Sequence, residues 1–261
     1  MRQLFHGSLR RAFPLVVGMA LAVVTSTASA QTTVREGHNA SIRQGKYDIN
    51  NNLWSDPGAG GTIWRWKDGN YWGWGAWFSK YGTGGINYQS IVMGWQWNNV
   101  RSATQLPVRL WANDPVNLRA KWNLDANNFR GNVAYDMWVH QAWQVNDGLD
   151  WRDQPSDEIM VWLDHDDLNP IGSYQKDVRI AGRDWQLWRG THPEGWNVYS
   201  FRLKGNAMKN VNLRLRDFLH NLMYVQKWLS NSKYLTSVQF GPEVWRGDGV
   251  FDCNSYSVNV K

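Results

Sequence analysis

Three acidic residues sit in settings where they could do chemistry: Glu158, Glu243 and Asp136. Glu158 lies in Ser156-Asp157-Glu158-Ile159-Met160-Val161-Trp162-Leu163, where polar and apolar residues alternate with period two, the pattern of a strand. Ser156, Glu158, Met160 and Trp162 would share one face, and no basic residue in the run neutralises the carboxylate. Glu243 closes a second alternating run from Tyr234, with Ser237, Gln239 and Gly241 on its face. Pro242 cannot donate to a ladder, so this strand is expected at an edge or bulged beside Glu243. Asp136 shares a face with Asn132, Ala134, Trp138 and His140 in Gly131 to His140. A carboxylate beside aromatic surface is the makeup of a sugar site, since indoles offer a stacking face to a ring. Two such carboxylates are what glycosidic-bond cleavage needs, one to protonate the leaving oxygen and one to attack or to activate water. A sugar-binding sandwich without chemistry would carry similar surfaces, and the chain has many other acids, so both readings stay open. His140 could act as a base, but at a strand end it reads more simply as a hydrogen-bonding partner.

The elements that must position these residues are mostly short strands. Gln31 to Tyr47 reads as a polar lead-in, followed by a strand and turn from Tyr47 to Trp54. Trp64/Trp66 and Trp72/Trp74 alternate on either side of Asp68-Gly69, which predicts a hairpin. Ile91 to Trp97 places Trp95 and Trp97 on one face of a further strand. Leu106 to Trp111, Arg119 to Leu124, Asp184 to Arg189 and Trp196 to Leu203 continue the series. Asp164 to Pro170 is a turn-rich loop whose acids lack calcium-loop spacing, and no metal site is expected. The period changes once: Leu215, Leu219, Leu222, Met223 and Leu229 recur at helical spacing, predicting one amphipathic helix over Asn212 to Leu229 with Asn212 as N-cap.

Residues 1–30 carry basic Arg2, Arg10 and Arg11, an apolar run from Ala12 to Val24, and Ala28-Ser29-Ala30, the arrangement of a bacterial export signal. The run is too short for a good membrane span. The mature chain is expected to start at Gln31 and to form a single catalytic domain over 31–261, exported to the periplasm or beyond, with no membrane contact. Removing three arginines leaves 25 basic against 22 acidic residues, and the net charge falls from +6 to +3. With no Lys/Arg block, nucleic-acid binding is not expected. Cys253 is the only cysteine, so an intrachain disulfide is excluded. All 19 tryptophans lie after residue 30, more than one core of this size needs, so several should face a ligand.

Several segments in order resemble glycoside hydrolase family 12 endoglucanases, the cellulase H family: Asn51-Asn52-Leu53-Trp54, Trp95-Gln96-Trp97, Asn132-Val133-Ala134-Tyr135-Asp136, Asp157-Glu158-Ile159-Met160-Val161-Trp162, Pro170-Ile171-Gly172-Ser173, Val198-Tyr199-Ser200-Phe201 and Val238-Gln239-Phe240-Gly241-Pro242-Glu243. The resemblance implies an all-β, two-sheet jelly-roll sandwich with an open cleft for a β-1,4-glucan. It implies a retaining mechanism with Glu158 as nucleophile, Glu243 as general acid/base and Asp136 orienting Glu158, and no cofactor. Asn52, Trp54, Trp97, Met160, Trp162 and Pro170 are implied to contact the polysaccharide. Glu243 is expected to titrate high, through the Glu158 charge and desolvation. The expected activity is secreted endo-β-1,4-glucanase, by a monomer. A xyloglucan-specific endoglucanase and a noncatalytic carbohydrate-binding sandwich are the competing readings. Asp56 to Tyr88 and His140 to Pro155 match the family pattern poorly, so substrate choice at the cleft edges stays open.

Overall fold

The computed structural model describes residues 31–53, 58–97, 104–111, 116–166 and 168–260. Residues 1–30 and Trp54 lie outside them. In chain order the strands are β1 (Gln31–Glu36), β2 (Ser41–Gln44), β3 (Tyr47–Asn50), β4 (Gly60–Asp68), β5 (Tyr71–Lys80), β6 (Asn87–Tyr88), β7 (Ser90–Gly94), β8 (Val108–Arg109), β9 (Val116–His140), β10 (Asp157–His165), β11 (Ser173–Ile180), β12 (Arg183–Thr191), β13 (Asn197–Leu203), β14 (Asn210–Arg214) and β15 (Tyr234–Val260). The helices are α1 (Ala142–Asn146) and α2 (Leu215–His220), the latter running on into a π-helical turn, Asn221–Val225.

Two long strands organise the molecule. β9 and β15 pair antiparallel along almost their whole length, with bulges near Leu235, Val244, Arg246 and Cys253. One half of this ribbon continues into β5, β4 and β1; the other continues into β10, β13, β12 and β11, with β7 and β3 on the opposite flank. The two halves thus form two layers facing across one apolar core. Ile63, Trp74 and Ala76 of the first layer meet Ile91, Tyr135, Ile159 and Phe240 of the second in that core. Tyr47 against Tyr256 and Phe240 against Phe251, with ring centroids 5.2 and 5.8 Å apart, bridge it. This is the expected all-β jelly roll.

Several boundaries differ from the sequence reading, each for a physical reason. The lead-in carries β1 and β2, because strand pairing satisfies a polar segment's backbone as well as an apolar one's. The strand ending in Trp95 and Trp97 stops at Gly94, whose φ of +96° turns the chain where a Cβ would strike the Thr236 carbonyl. The strands expected at Arg119 to Leu124 and Gly131 to His140 are one, β9. β11 was not foreseen because its exposed polar residues show no alternation. The helix is shorter than 212–229: Asn212 pairs with Arg119 in β14, and α2 starts at Leu215 after the non-capping Arg214. Its Phe218 packs on Trp185 and Phe201, each with ring centroids 5.1 Å away. Among the described residues no helix is long and apolar enough to cross a membrane.

Candidate active site

β15, β9 and β10 lie side by side, and alternation turns Glu243, Asp136 and Glu158 to the same outer face of their layer. All three line a cleft of about 540 Å³. The register of β10 is anchored one residue before Glu158. Asp157, fully buried on the core side, accepts from Lys233 Nζ at 2.5 Å, Ser156 Oγ at 2.7 Å and Asn197 Nδ2 at 3.2 Å. A buried carboxylate is tolerated when it is paired in this way, and pinning it holds Glu158 toward the cleft.

Pro242 does not mark an edge. β15 is flanked by β9 on one side, and on the other its ladder passes from β7 (Phe240 opposite Ile91) to β6 (Glu243 opposite Tyr88). Pro242 sits in the break between these two partners, opposite the gap at Gln89, and the bulge expected beside Glu243 begins after Val244. The ladder is already interrupted there, so the missing N–H is accommodated.

The two glutamates have different hydrogen-bond partners. Glu158 is 8% exposed, and its Oε2 accepts from the Trp196 indole Nε1 at 2.7 Å. β13 pairs parallel to β10 with Val198 opposite Glu158, which brings Trp196 to the carboxylate; the ring lies flat on His192, centroids 3.9 Å apart and 5° between planes. Glu243 Oε2 accepts from Asn132 Nδ2 at 2.5 Å, from the residue directly opposite on β9. Burial lifts Glu158 up to about 8, opposed by the Trp196 N–H and reinforced by the Glu243 charge. Burial lifts Glu243 up to about 7, opposed by the Asn132 amide. Desolvation dominates at Glu243, and the charge repulsion expected there acts on Glu158. Asp136 is raised well above the ordinary range by burial and by both glutamate charges, and its Oδ1 has no hydrogen-bond partner. Asp136 therefore does not orient Glu158 by a direct hydrogen bond in this structure.

Burial alone favours a proton on Glu158, the more strongly raised of the two. The hydrogen-bond partners point the other way. An indole N–H can only donate, so it favours Glu158 as the anion. A side-chain amide presents a donor or, turned over, an acceptor, and Asn132 Oδ1 is buried without a partner. Asn132 thus suits Glu243 in either protonation state, which an acid/base needs.

Of the other residues singled out from sequence, Asn52, Trp97, Met160, Trp162 and Pro170 all line the cleft, and Trp54 lies outside the described residues. Asn52 has φ +35°, a conformation asparagine tolerates. Trp97 is half-buried among Trp95, Trp138 and Trp196, with centroids 4.7, 6.0 and 5.7 Å away. Trp162 is almost wholly buried, with its N–H on Met160 Sδ at 3.4 Å, so core packing accounts for much of its surface. His140 does not line the cleft: it is buried between Thr236 Oγ1 at 2.7 Å and the Asp153 carbonyl at 3.2 Å, and burial lowers it to about 4. Sequence reasoning did not single out Trp196, His192 or Glu194 at the β12–β13 turn, which line the cleft too. Their place depends on a parallel pairing that no local pattern announces. Among the described residues no group of three or more His, Cys, Asp and Glu is placed to hold a metal ion.

Comparison with known proteins gives one answer. The family model for glycosyl hydrolase family 12 matches residues 45–261. Endoglucanase S of Pectobacterium parmentieri is 28% identical over 268 residues, covering 98% of this chain and 97% of that protein. A probable xyloglucan-specific endo-β-1,4-glucanase A of Neosartorya fischeri is 30% identical over 260 residues, covering 95% and 99%. Among solved structures, the native family 12 xyloglucanase from Bacillus licheniformis superposes with a TM-score of 0.79 at 30% identity, over 88% of this chain and 100% of that one.

Proposed function

Because the chain belongs to glycosyl hydrolase family 12, we propose that it is an endo-β-1,4-glucanase, exported after loss of residues 1–30 and acting as a monomer. It cleaves internal bonds of cellulose or related glucans by retaining double displacement. The observation that carries the mechanism is the pair of glutamates on one cleft, Glu158 buried and held by a donor-only indole, Glu243 half-buried and held by an amide.

In the first step Glu243 gives its proton to the glycosidic oxygen while Glu158 attacks the anomeric carbon. The bond to the leaving chain breaks, and a glycosyl ester forms on Glu158. Trp196 occupies Oε2, which leaves Oε1 as the attacking oxygen. In the second step ionised Glu243 takes a proton from water; the water oxygen attacks the anomeric carbon and the ester bond breaks, restoring both groups. Asn52, Trp97, Met160, Trp162 and Pro170 bind the sugars flanking the cut, and Asp136 supports Glu158.

Reducing-sugar release from carboxymethylcellulose and xyloglucan, with Glu158→Gln and Glu243→Gln alongside, tests this reading. A folded parent that binds glucan and releases nothing would overturn it. Preference for xyloglucan is the second reading, favoured by the likeness to the Bacillus licheniformis xyloglucanase, and the ratio of the two rates decides.

A further inference from the structure

On the layer opposite the cleft, β4 and β5 turn Ile63, Trp74, Ala76 and Phe78 into the core. By alternation Trp64, Trp66 and Trp77 point outward, and none of them belongs to a core cluster. Trp64 stands opposite Gly75 and Trp66 opposite Gly73. A Cβ built on Gly75 would lie 2.6 Å from Trp64 Cε2, and one on Gly73 2.6 Å from Trp66 Cε2. Cε2 is a ring-fusion atom with no free edge, so each glycine touches the face of its indole. Both rings therefore lie flat on the sheet, and glycine is required beneath them. Trp77 reaches Gly60 with the outer edge of its ring, Cη2 lying 2.9 Å from the virtual Cβ, and is 41% exposed.

The three rings follow the β4–β5 seam. From the level of Trp66 to that of Gly60 is six residues, or roughly 20 Å at strand rise, enough for several consecutive sugar rings. Of the outward residues on this seam, Gly60, Thr62, Trp64, Trp66, Tyr71, Gly73, Gly75, Trp77 and Ser79 are uncharged, in a chain with 50 charged residues, and Asp68 places a carboxylate at the hairpin end opposite Tyr71. Carboxylates flank the strip, Glu36 opposite Thr62 on β1 and Asp252 opposite Gly75 on β15. Flat apolar faces with no charge, bordered by hydrogen-bond acceptors, complement a neutral polymer with apolar ring faces and hydroxyl edges. They do not complement a charged protein or nucleic acid.

We propose that Trp64, Trp66 and Trp77 form a second glucan-binding surface on the back of the molecule, taking extended β-1,4-glucan chains at the surface of insoluble cellulose. The ligand class rests on the proposed function; the site itself rests on the indole–glycine geometry. It would hold the enzyme on a solid substrate while the cleft works on other chains.

The test is adsorption to microcrystalline cellulose of the Glu158→Gln protein, with the cleft saturated by a soluble cello-oligosaccharide. The protein should still adsorb. Trp64→Thr and Trp66→Thr should each weaken adsorption about two- to tenfold, the scale of one lost aromatic stacking contact. In the catalytically intact background the same changes should leave kcat/KM on soluble carboxymethylcellulose within twofold. Adsorption abolished by the oligosaccharide, or unchanged in both variants, overturns the proposal. Should either threonine variant melt early, Thr62→Lys, which puts a charge into the strip, should weaken adsorption without removing an indole; unchanged adsorption there also overturns it. Loss of parent activity on soluble glucan would instead sink the proposed function and leave the adsorption result standing.

Discussion

Replacing Trp196 by Phe removes one N–H and little else. The ring keeps its stack on His192 and its packing against Trp97 and Trp138, with centroids 3.9, 5.7 and 5.6 Å away. What is lost is the 2.7 Å donor to Glu158 Oε2. A hydrogen bond to a charged group contributes about 1.5–3 kcal/mol, and about 1.4 kcal/mol corresponds to one pH unit. The donor favours the ionised form of a carboxyl that burial has already raised, so losing it raises Glu158 further. Activity requires ionised Glu158, so the acidic limb of the kcat/KM profile on a soluble glucan should move up by about one to two pH units. Glu243 must still carry its proton, so the shift should also lower the maximum and narrow the bell rather than leave a plateau on the alkaline side. A uniform fall with an unmoved limb would reduce Trp196 to packing. A limb that moves down would refute Glu158 as the group that must be ionised.

The remaining predictions rest on the same geometry. Glu243→Gln should lower kcat on order of 10²- to 10⁴-fold, the usual scale of general acid–base catalysis, and Glu158→Gln should abolish the glycosyl-enzyme intermediate in trapping experiments. Glu243 is raised in the fold, so folding favours its protonated form; stability is full below the unfolded carboxyl value near 4.5 and is lost as pH rises toward about 7. Glu243→Gln should therefore melt higher than the parent above pH 7, by up to about 3 kcal/mol less whatever cleft water screens, with the difference vanishing below pH 4. Lys233→Met should cost about 3–5 kcal/mol in denaturant unfolding by leaving the buried Asp157 charge without its cation, with only the Ser156 and Asn197 donors remaining.

The strands that carry Glu158, Asp136 and Glu243 were legible because alternation alone assigns each carboxylate to a face, and the structure keeps those faces. The hairpin at Asp68-Gly69 was legible from turn chemistry, with Gly69 at φ +55°. Trp196 was not: its meeting with Glu158 is written in the parallel register of β10 and β13, 38 residues apart in sequence. The helix start failed because Leu213 and Leu215 fit both periods, and pairing with β9 claimed Asn210–Arg214 for a strand. Pro242 was legible in part: its strand is not an edge, but a bulge does begin after Val244, beside Glu243.

Asp136 is where burial and charge argue most closely. Its carboxyl is buried, its Oδ1 has no partner, and two other carboxyls share its cleft, so the neutral acid is the form that costs least. A neutral Asp136 has one proton to give, and in the complex with substrate the acceptor within the site that gains most from it is ionised Glu158. Asparagine reproduces that donation without an ionisable group. Asp136→Asn should therefore keep kcat within about tenfold of the parent and be more stable than it above neutral pH, whereas Asp136→Ala, with nothing to donate, should lose about 10²-fold or more. If asparagine proves as damaging as alanine, Asp136 works as an anion, and the cleft must hold more negative charge than its hydrogen bonds can offset.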